Sequence, residues 1–236
     1  MSLFKPFWMQ SFPYGSDEKK KKCLAKLDSI TDESLLIQIA KETPVKEYRR
    51  YAEKRIKDQD VLKELALRYY DDEAVARVKD QEVLKSIALT AASQQTVSVA
   101  VSHIDDDDFF INGFIDKVLN DELPCLKDRG PYRTGLVSKV LGQINDQEYL
   151  YHVASLNEFG IPFFIDEQKA AVMNITDRKK LFMLAKNAKH DVAAVAISKM
   201  TDKEDLNWLV KHCNAKGMTP NIAQMAAMRL RNERFC

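Results

Sequence analysis

Glycine and proline are scarce in this chain, seven of each among 236 residues, and no Pro/Gly/Ser-rich stretch divides it. Such a composition suits a chain spent mostly in helix and argues against a flexible linker between domains. Net charge is nearly absent as well. Thirty-six basic residues against 35 acidic ones leave +1, so bulk electrostatics give no reason to expect nucleic acid or an anionic membrane as a partner. No apolar run approaches the roughly 18 residues of a membrane-spanning helix. Nor does a charged segment followed by an apolar one mark a secretion signal. The expected location is the cytoplasm.

Cysteine is sparse too. Cys23, Cys125, Cys213 and Cys236 lie far apart without a CxxC pair, which speaks against a disulfide framework or a structural zinc site. Cys236 also lacks the aliphatic context of a prenylation box. Reduced, mostly buried thiols are expected. The signatures GxGxxG, GxxxxGK[ST], HExxH and GxSxG are all missing. Neighbours His212 and Cys213 point to different faces of a helix, so they make a poor dyad. The expectation is a protein without catalysis, cofactor, metal or small-molecule ligand.

What the chain has is a phrase. Ile56-Lys57-Asp58-Gln59-Asp60-Val61-Leu62-Lys63-Glu64-Leu65-Ala66 returns as Val78-Lys79-Asp80-Gln81-Glu82-Val83-Leu84-Lys85-Ser86-Ile87-Ala88. Looser copies begin at Ile30, Ile104, Ile144, Ile175 and Met200. Two places after each leading residue stands an aspartate: Asp32, Asp58, Asp80, Asp106, Asp146, Asp177 and Asp202. Aspartate at this spot reads as an N-cap, because its carboxylate accepts free N–H groups of the first turn; a cap one residue earlier, with the leading residue and the +5 residue as a hydrophobic staple, gives the same helix. Six places after the leading residue come Leu36, Leu62, Leu84, Phe110, Leu150, Leu181 and Leu206, with apolar or small residues three and four places further on. That spacing puts one apolar stripe on a short helix, here called A.

A second helix, B, precedes each phrase, with Ala52, Ala74, Ala100, Val140, Ala171 and Ala196 four places before the leading residue. Small residues there let B lie close to a neighbour. Thr43-Pro44 and Thr219-Pro220 read as cap-plus-N1 pairs opening two B helices. Neither helix buries its stripe alone, so each hairpin must stack on the next.

This rhythm of leading apolar residue, Asp-Gln, Leu and Ile-Ala resembles the bacterial HEAT-like repeat proteins, a branch of the armadillo-type α-solenoids. The resemblance runs from about Lys19 to Arg231. The opening Leu3-Phe4-Lys5-Pro6-Phe7-Trp8 is similar to the leader of a group of uncharacterised bacterial members. The fold this implies is all-α, a right-handed α-α superhelix (α-solenoid) of about seven short hairpins. Residues 1–16 would form an aromatic leader or cap and 17–236 a single solenoid. The family implies scaffolding or binding and no one reaction. The fourth copy departs from the pattern, with Gly113 and Phe114 where the others carry an apolar pair, so its A helix is expected to be bent or displaced.

Several stretches depart from the repeat. The excess between Ile104 and Ile144 lies in residues 120–133, where Arg129, Tyr132 and Arg133 form a candidate contact cluster beside plain length drift. Asp105–Asp108 reads as the repeat's own cap with acidic neighbours, lacking the spacing of a calcium loop. Phe159-Gly160-Ile161-Pro162-Phe163-Phe164 is expected to fold back as core. Directly before the leading residues stand Arg55, Arg77, His103, Gln143, Asn174, Lys199 and Arg229, none of them acidic. In HEAT-like arrays the B helices line the concave surface, where this row would make a mildly basic stripe, Arg49, Arg50 and Arg133 with it. The local alternative is that cations near a helix C-terminus satisfy its carbonyls, worth roughly 0.3–1 kcal/mol each.

The functional expectation is a non-catalytic scaffold that holds another protein on its concave face, using Arg55, Arg77, His103, Arg129, Tyr132, Arg133, Lys199 and Arg229. A nucleic-acid-binding protein of the alkyl-base DNA glycosylase type, which shares the HEAT-like architecture, is the alternative. It would need a strongly basic face.

Overall fold

Asp58 accepts the backbone N–H of Val61 at 3.0 Å, and it does so in the first turn of the helix its phrase predicts. All seven repeat aspartates behave this way in a computed structural model of the protein. Each is an N-cap whose carboxylate accepts one or two N–H groups at 2.8–3.2 Å. The structure describes residues 7–9, 17–126, 132–156, 164–213 and 222–232. Among these residues it is all-helical, with no strand.

The described residues fall into two compact units, one ending at Ile104 and the other beginning at Asp105. The first contains α1 (Asp17–Asp28), α2 (Glu33–Glu42), α3 (Lys46–Glu53), α4 (Gln59–Tyr69), α5 (Asp72–Val75), α6 (Gln81–Thr90) and α7 (Gln94–Val101). Even numbers are A helices and odd ones B helices. A packs on B within each hairpin (α2 on α3, α4 on α5, α6 on α7), and like packs on like between hairpins (α2 on α4, α4 on α6, α1 on α3, α5 on α7). The A stripe and the small B residues fill the space between. Leu36, Leu62, Leu84, Ala52, Ala74 and Ala100 are all buried. Burying one such leucine contributes on the order of 1.5–3 kcal/mol.

The second unit holds α8 (Asp107–Phe109), a π-helical turn (Phe110–Phe114), α9 (Ile115–Leu119), α10 (Tyr132–Leu141), α11 (Gln147–Ser155), α12 (Ile165–Asn174), α13 (Arg178–Asn187), α14 (His190–Lys199), α15 (Lys203–His212) and α16 (Ile222–Asn232). The same pairing recurs: α11 on α12, α13 on α14 and α15 on α16 within hairpins, and α12 on α14 on α16 between them. Leu150, Leu181, Leu206, Val140, Ala171, Ala196 and Ala226 are buried in turn.

The departure in the fourth copy has a specific form. The N–H of Ile115 donates to the carbonyl of Phe110, five residues back, so the chain carries one residue more in this turn than an α-helix would. The inward face moves along by one. Phe114 and Ile115 are buried where other copies bury their +9 and +10 residues, and Gly113 faces open space.

Two expectations need correction. Thr43-Pro44 does not open α3, which starts at Lys46 with Val45 at its cap. Thr43 instead ends α2, and its Oγ1 accepts the N–H of Val45 at 3.2 Å. Phe164 is 56% exposed rather than core, while its neighbours 159–163 lie outside the described residues, as do Thr219 and Pro220. Of the leader, Phe7–Met9 is described. It packs as a 3-10 turn whose Trp8 carbonyl accepts the Thr43 hydroxyl at 2.6 Å, with Lys26 Nζ 5.7 Å from the Phe7 ring.

Candidate functional site

Consecutive hairpins are joined by two sets of polar bonds, and both use residues flanking the repeat phrase. The first set starts at the residue after each capping aspartate. Glu33 Oε1 accepts two successive backbone N–H groups from the following phrase, Lys57 at 2.6 Å and Asp58 at 3.1 Å. Gln59 Oε1 does the same for Lys79 and Asp80, Asp107 Oδ2 for Asn145 and Asp146, and Gln147 Oε1 for Thr176 and Asp177, all at 2.7–3.2 Å. Those N–H groups precede a helix and have no partner in it, so a neighbouring oxygen is what satisfies them. The column is legible in the sequence, where Glu33, Gln59, Gln81, Asp107 and Gln147 all offer an oxygen, yet Asp-Gln read there only as part of the rhythm.

The second set is the row of cations and amides. Arg77 Nη2 donates to the carbonyl of Ile56 at 2.9 Å, and Arg229 Nε to that of Met200 at 3.2 Å. Asn174 Nδ2 donates to the carbonyl of Ile144, and Lys199 Nζ to those of Val172, Met173 and Ile175. Arg55 Nη1 reaches the carbonyls of Leu27 and Asp28, at 2.9 and 3.1 Å. These residues do satisfy helix-end carbonyls, but those of the preceding hairpin rather than their own. Burial lowers the Lys199 pKa, since its ammonium is partly desolvated. His103 is the exception: Nδ1 lies 2.9 Å from Val99 O in its own helix.

Arg55, Arg77, Asn174, Lys199 and Arg229 thus staple hairpins, each reaching a carbonyl of the one before. Arg129 lies outside the described residues, and Tyr132 and Arg133 open α10 with side chains outside them. Asp106 and Asp107 of the acidic run are engaged as cap and joint acceptor. Cys23, Cys125 and Cys213 are buried free thiols, and burial raises the pKa of Cys125 and Cys213.

Two concavities among the described residues bear on a site. One, of about 400 Å³, sits at the joint of the sixth and seventh hairpins beside Ile175, Arg178, Leu181, Lys199 and Met200. Its polar groups serve the joint: Arg178 takes Asp202 at 2.8 Å and Asp205 at 2.6 Å. The other, of about 390 Å³, is an open groove across the B helices of the first unit. Lys20 and Leu24 of α1, Glu47, Arg50 and Tyr51 of α3, Lys54 at its C-cap, and Glu73 of α5 line it. Its charges alternate in sign and pair in part, Lys20 with Glu47 at 2.5 Å and Arg50 with Glu73 at 3.4 Å.

Behind this groove lies a buried carboxylate. Glu53 is 2% exposed, and neither carboxylate oxygen has a hydrogen-bond partner. Burial first, and then the charge of Asp71, push its pKa up to about 7 against the pull of Arg49. The sequence does carry a signal, since three places before the leading residue the other copies have Leu27, Val75, Val101, Leu141, Val172 and Ile197, and Glu53 is the one acid in that apolar row.

No metal-binding group of three or more His, Cys, Asp or Glu occurs among the described residues, and none of their helices is long and apolar enough to cross a membrane. Comparison with family models, with curated proteins and with solved structures returns no match.

Proposed function

We propose that the protein is a HEAT-like α-solenoid that binds another protein on its B-helix surface, without catalysis. The observation that carries this reading is the groove over α1, α3 and α5. It is open and of mixed sign, with Lys20, Arg50 and Lys54 set beside Glu47 and Glu73 and with Tyr51 and Leu24 between them. Interleaved charges of both signs around an aromatic match a protein surface, whereas a phosphate backbone calls for an unbroken basic one. The hairpin-on-hairpin packing in each unit is what an α-solenoid requires.

Both the protein-binding and the nucleic-acid expectation drew on the basic row, and Arg55, Arg77, Lys199 and Arg229 are spent on main-chain carbonyls, so the protein-binding reading moves to the groove. The experiment is capture of partners from the native cell by the intact chain and by a Lys20→Glu/Lys54→Glu variant. Proteins retained by the first and lost by the second support the groove. Tight binding of duplex DNA at 50 mM salt that collapses by about 200 mM would overturn the reading in favour of the nucleic-acid one.

A further inference from the structure

The Glu53 environment is built in a way that a static joint does not require. Its two buried oxygens lack partners, and the nearest cation, Arg49 Nε, stands 3.8 Å away and is itself buried without an acceptor. Arg49 is held off by something else, because its guanidinium lies 3.8 Å over the ring of Tyr69, whose hydroxyl is anchored to the Lys41 carbonyl at 3.0 Å. Lys41 Nζ turns away to Glu64 at 2.5 Å. From the turn between α4 and α5 a second buried carboxylate, Asp71, faces the same space, capping α5 through the Glu73 N–H at 3.0 Å. Arg50 stands 3.8 Å from Asp71 and 3.4 Å from Glu73. Immediately before Asp71, Tyr70 holds a left-handed φ of 51°, a conformation that strains a residue bearing a side chain.

We propose that Glu53, Asp71 and Arg49 form a proton-dependent joint between α3 and the α4–α5 turn, closed while Glu53 is neutral and loosened when it ionises. A neutral Glu53 tolerates a buried carboxylate neighbour and leaves Arg49 on Tyr69. Ionised, it repels Asp71 and attracts Arg49, and the short gap to Nε closes only if the guanidinium leaves the ring. Asp71 then yields at the strained Tyr70, and α5, only four residues long, follows its cap. Arg50 and Glu73 line the groove as well as this cluster, so the change reaches the surface. The proposal stands whether or not that groove holds a partner.

The test is carried out on the intact chain. The Glu53 side-chain carboxyl is followed by carbon NMR from pH 4 to 9, and hydrogen exchange of residues 66–75 is compared at pH 5.5 and 8.5 after correction for intrinsic rates. The expected result is a Glu53 midpoint above pH 6, with exchange over 66–75 rising about tenfold at the higher pH. In Glu53→Gln that rise disappears, because the amide stays neutral. A Glu53 midpoint below 5, corrected exchange that does not change with pH, or the same rise in Glu53→Gln would each overturn the proposal. The wild-type titration decides the matter if the variant does not fold.

Discussion

Gln59 and Asp80 belong to different hairpins, yet Gln59 Oε1 accepts the backbone N–H of Asp80 at 3.2 Å while the Asp80 carboxylate caps its own helix. One short phrase thus does two jobs. Its aspartate starts a helix, and the residue after it fastens the next hairpin. The bond is shared with the N–H of Lys79 at 2.7 Å, so one oxygen satisfies two donors.

Replacing Gln59 by leucine removes that acceptor and leaves both N–H groups to find water or go unpaired. The expected loss is about 1–3 kcal/mol, read from urea denaturation of the first unit's helices. A loss below about 0.3 kcal/mol would mean that water replaces the oxygen at no cost.

Arg178 is the place where the pattern breaks. It occupies the Gln59 position in the sixth copy, cannot accept a hydrogen bond, and pairs instead with Asp202 and Asp205. Arg178→Gln should restore the oxygen and raise the thermal midpoint, since Arg178 itself is exposed and ion pairs open to solvent on one side contribute little. A lowered midpoint would show that the ion pairs are the better fastening at this joint.

Leu62→Ala tests the apolar stripe. Leu62 is 1% exposed, and the cavity left behind should cost roughly 2–5 kcal/mol. A cost well under 1 kcal/mol would mean that the stripe is not what holds α4 to its neighbours.

Stability should also fall as pH rises, the reverse of what an ion-paired carboxylate gives. Glu53 moves from 4.5 to about 7 on folding, so the fold favours its neutral form. Its contribution is complete below about pH 4.5, declines up to about 7 and stays lost above that, by at most about 3 kcal/mol. Denaturation at pH 5 and pH 8 measures it, and Glu53→Gln should flatten the difference.

Much of this was legible in the residues. The seven aspartates, the leucine row and the small B-helix residues follow from spacing alone, because capping and burial are local demands that each copy repeats. The position of the fourth copy's distortion was legible at Gly113 and Phe114, though not its π-helical form. The joints were harder to see. The donors of Arg77 and Lys199 and the acceptors of Gln59 and Gln147 meet partners 20 or more residues away, and no periodicity shows which carbonyl or N–H lies opposite. Glu53 was legible as the one acid in an apolar row, but its surroundings were not. Only the fold places Asp71 and Arg49 around it and takes the water away.

Amide exchange at Lys79 and Asp80 reads the fastening between hairpins directly. Both residues are exposed, and their N–H groups lie outside any helix, so the Gln59 side chain is what shields them. Measurable protection is expected at both amides in the native protein, and its loss in Gln59→Leu. Exchange at the rate of an unstructured peptide in the native protein would contradict it.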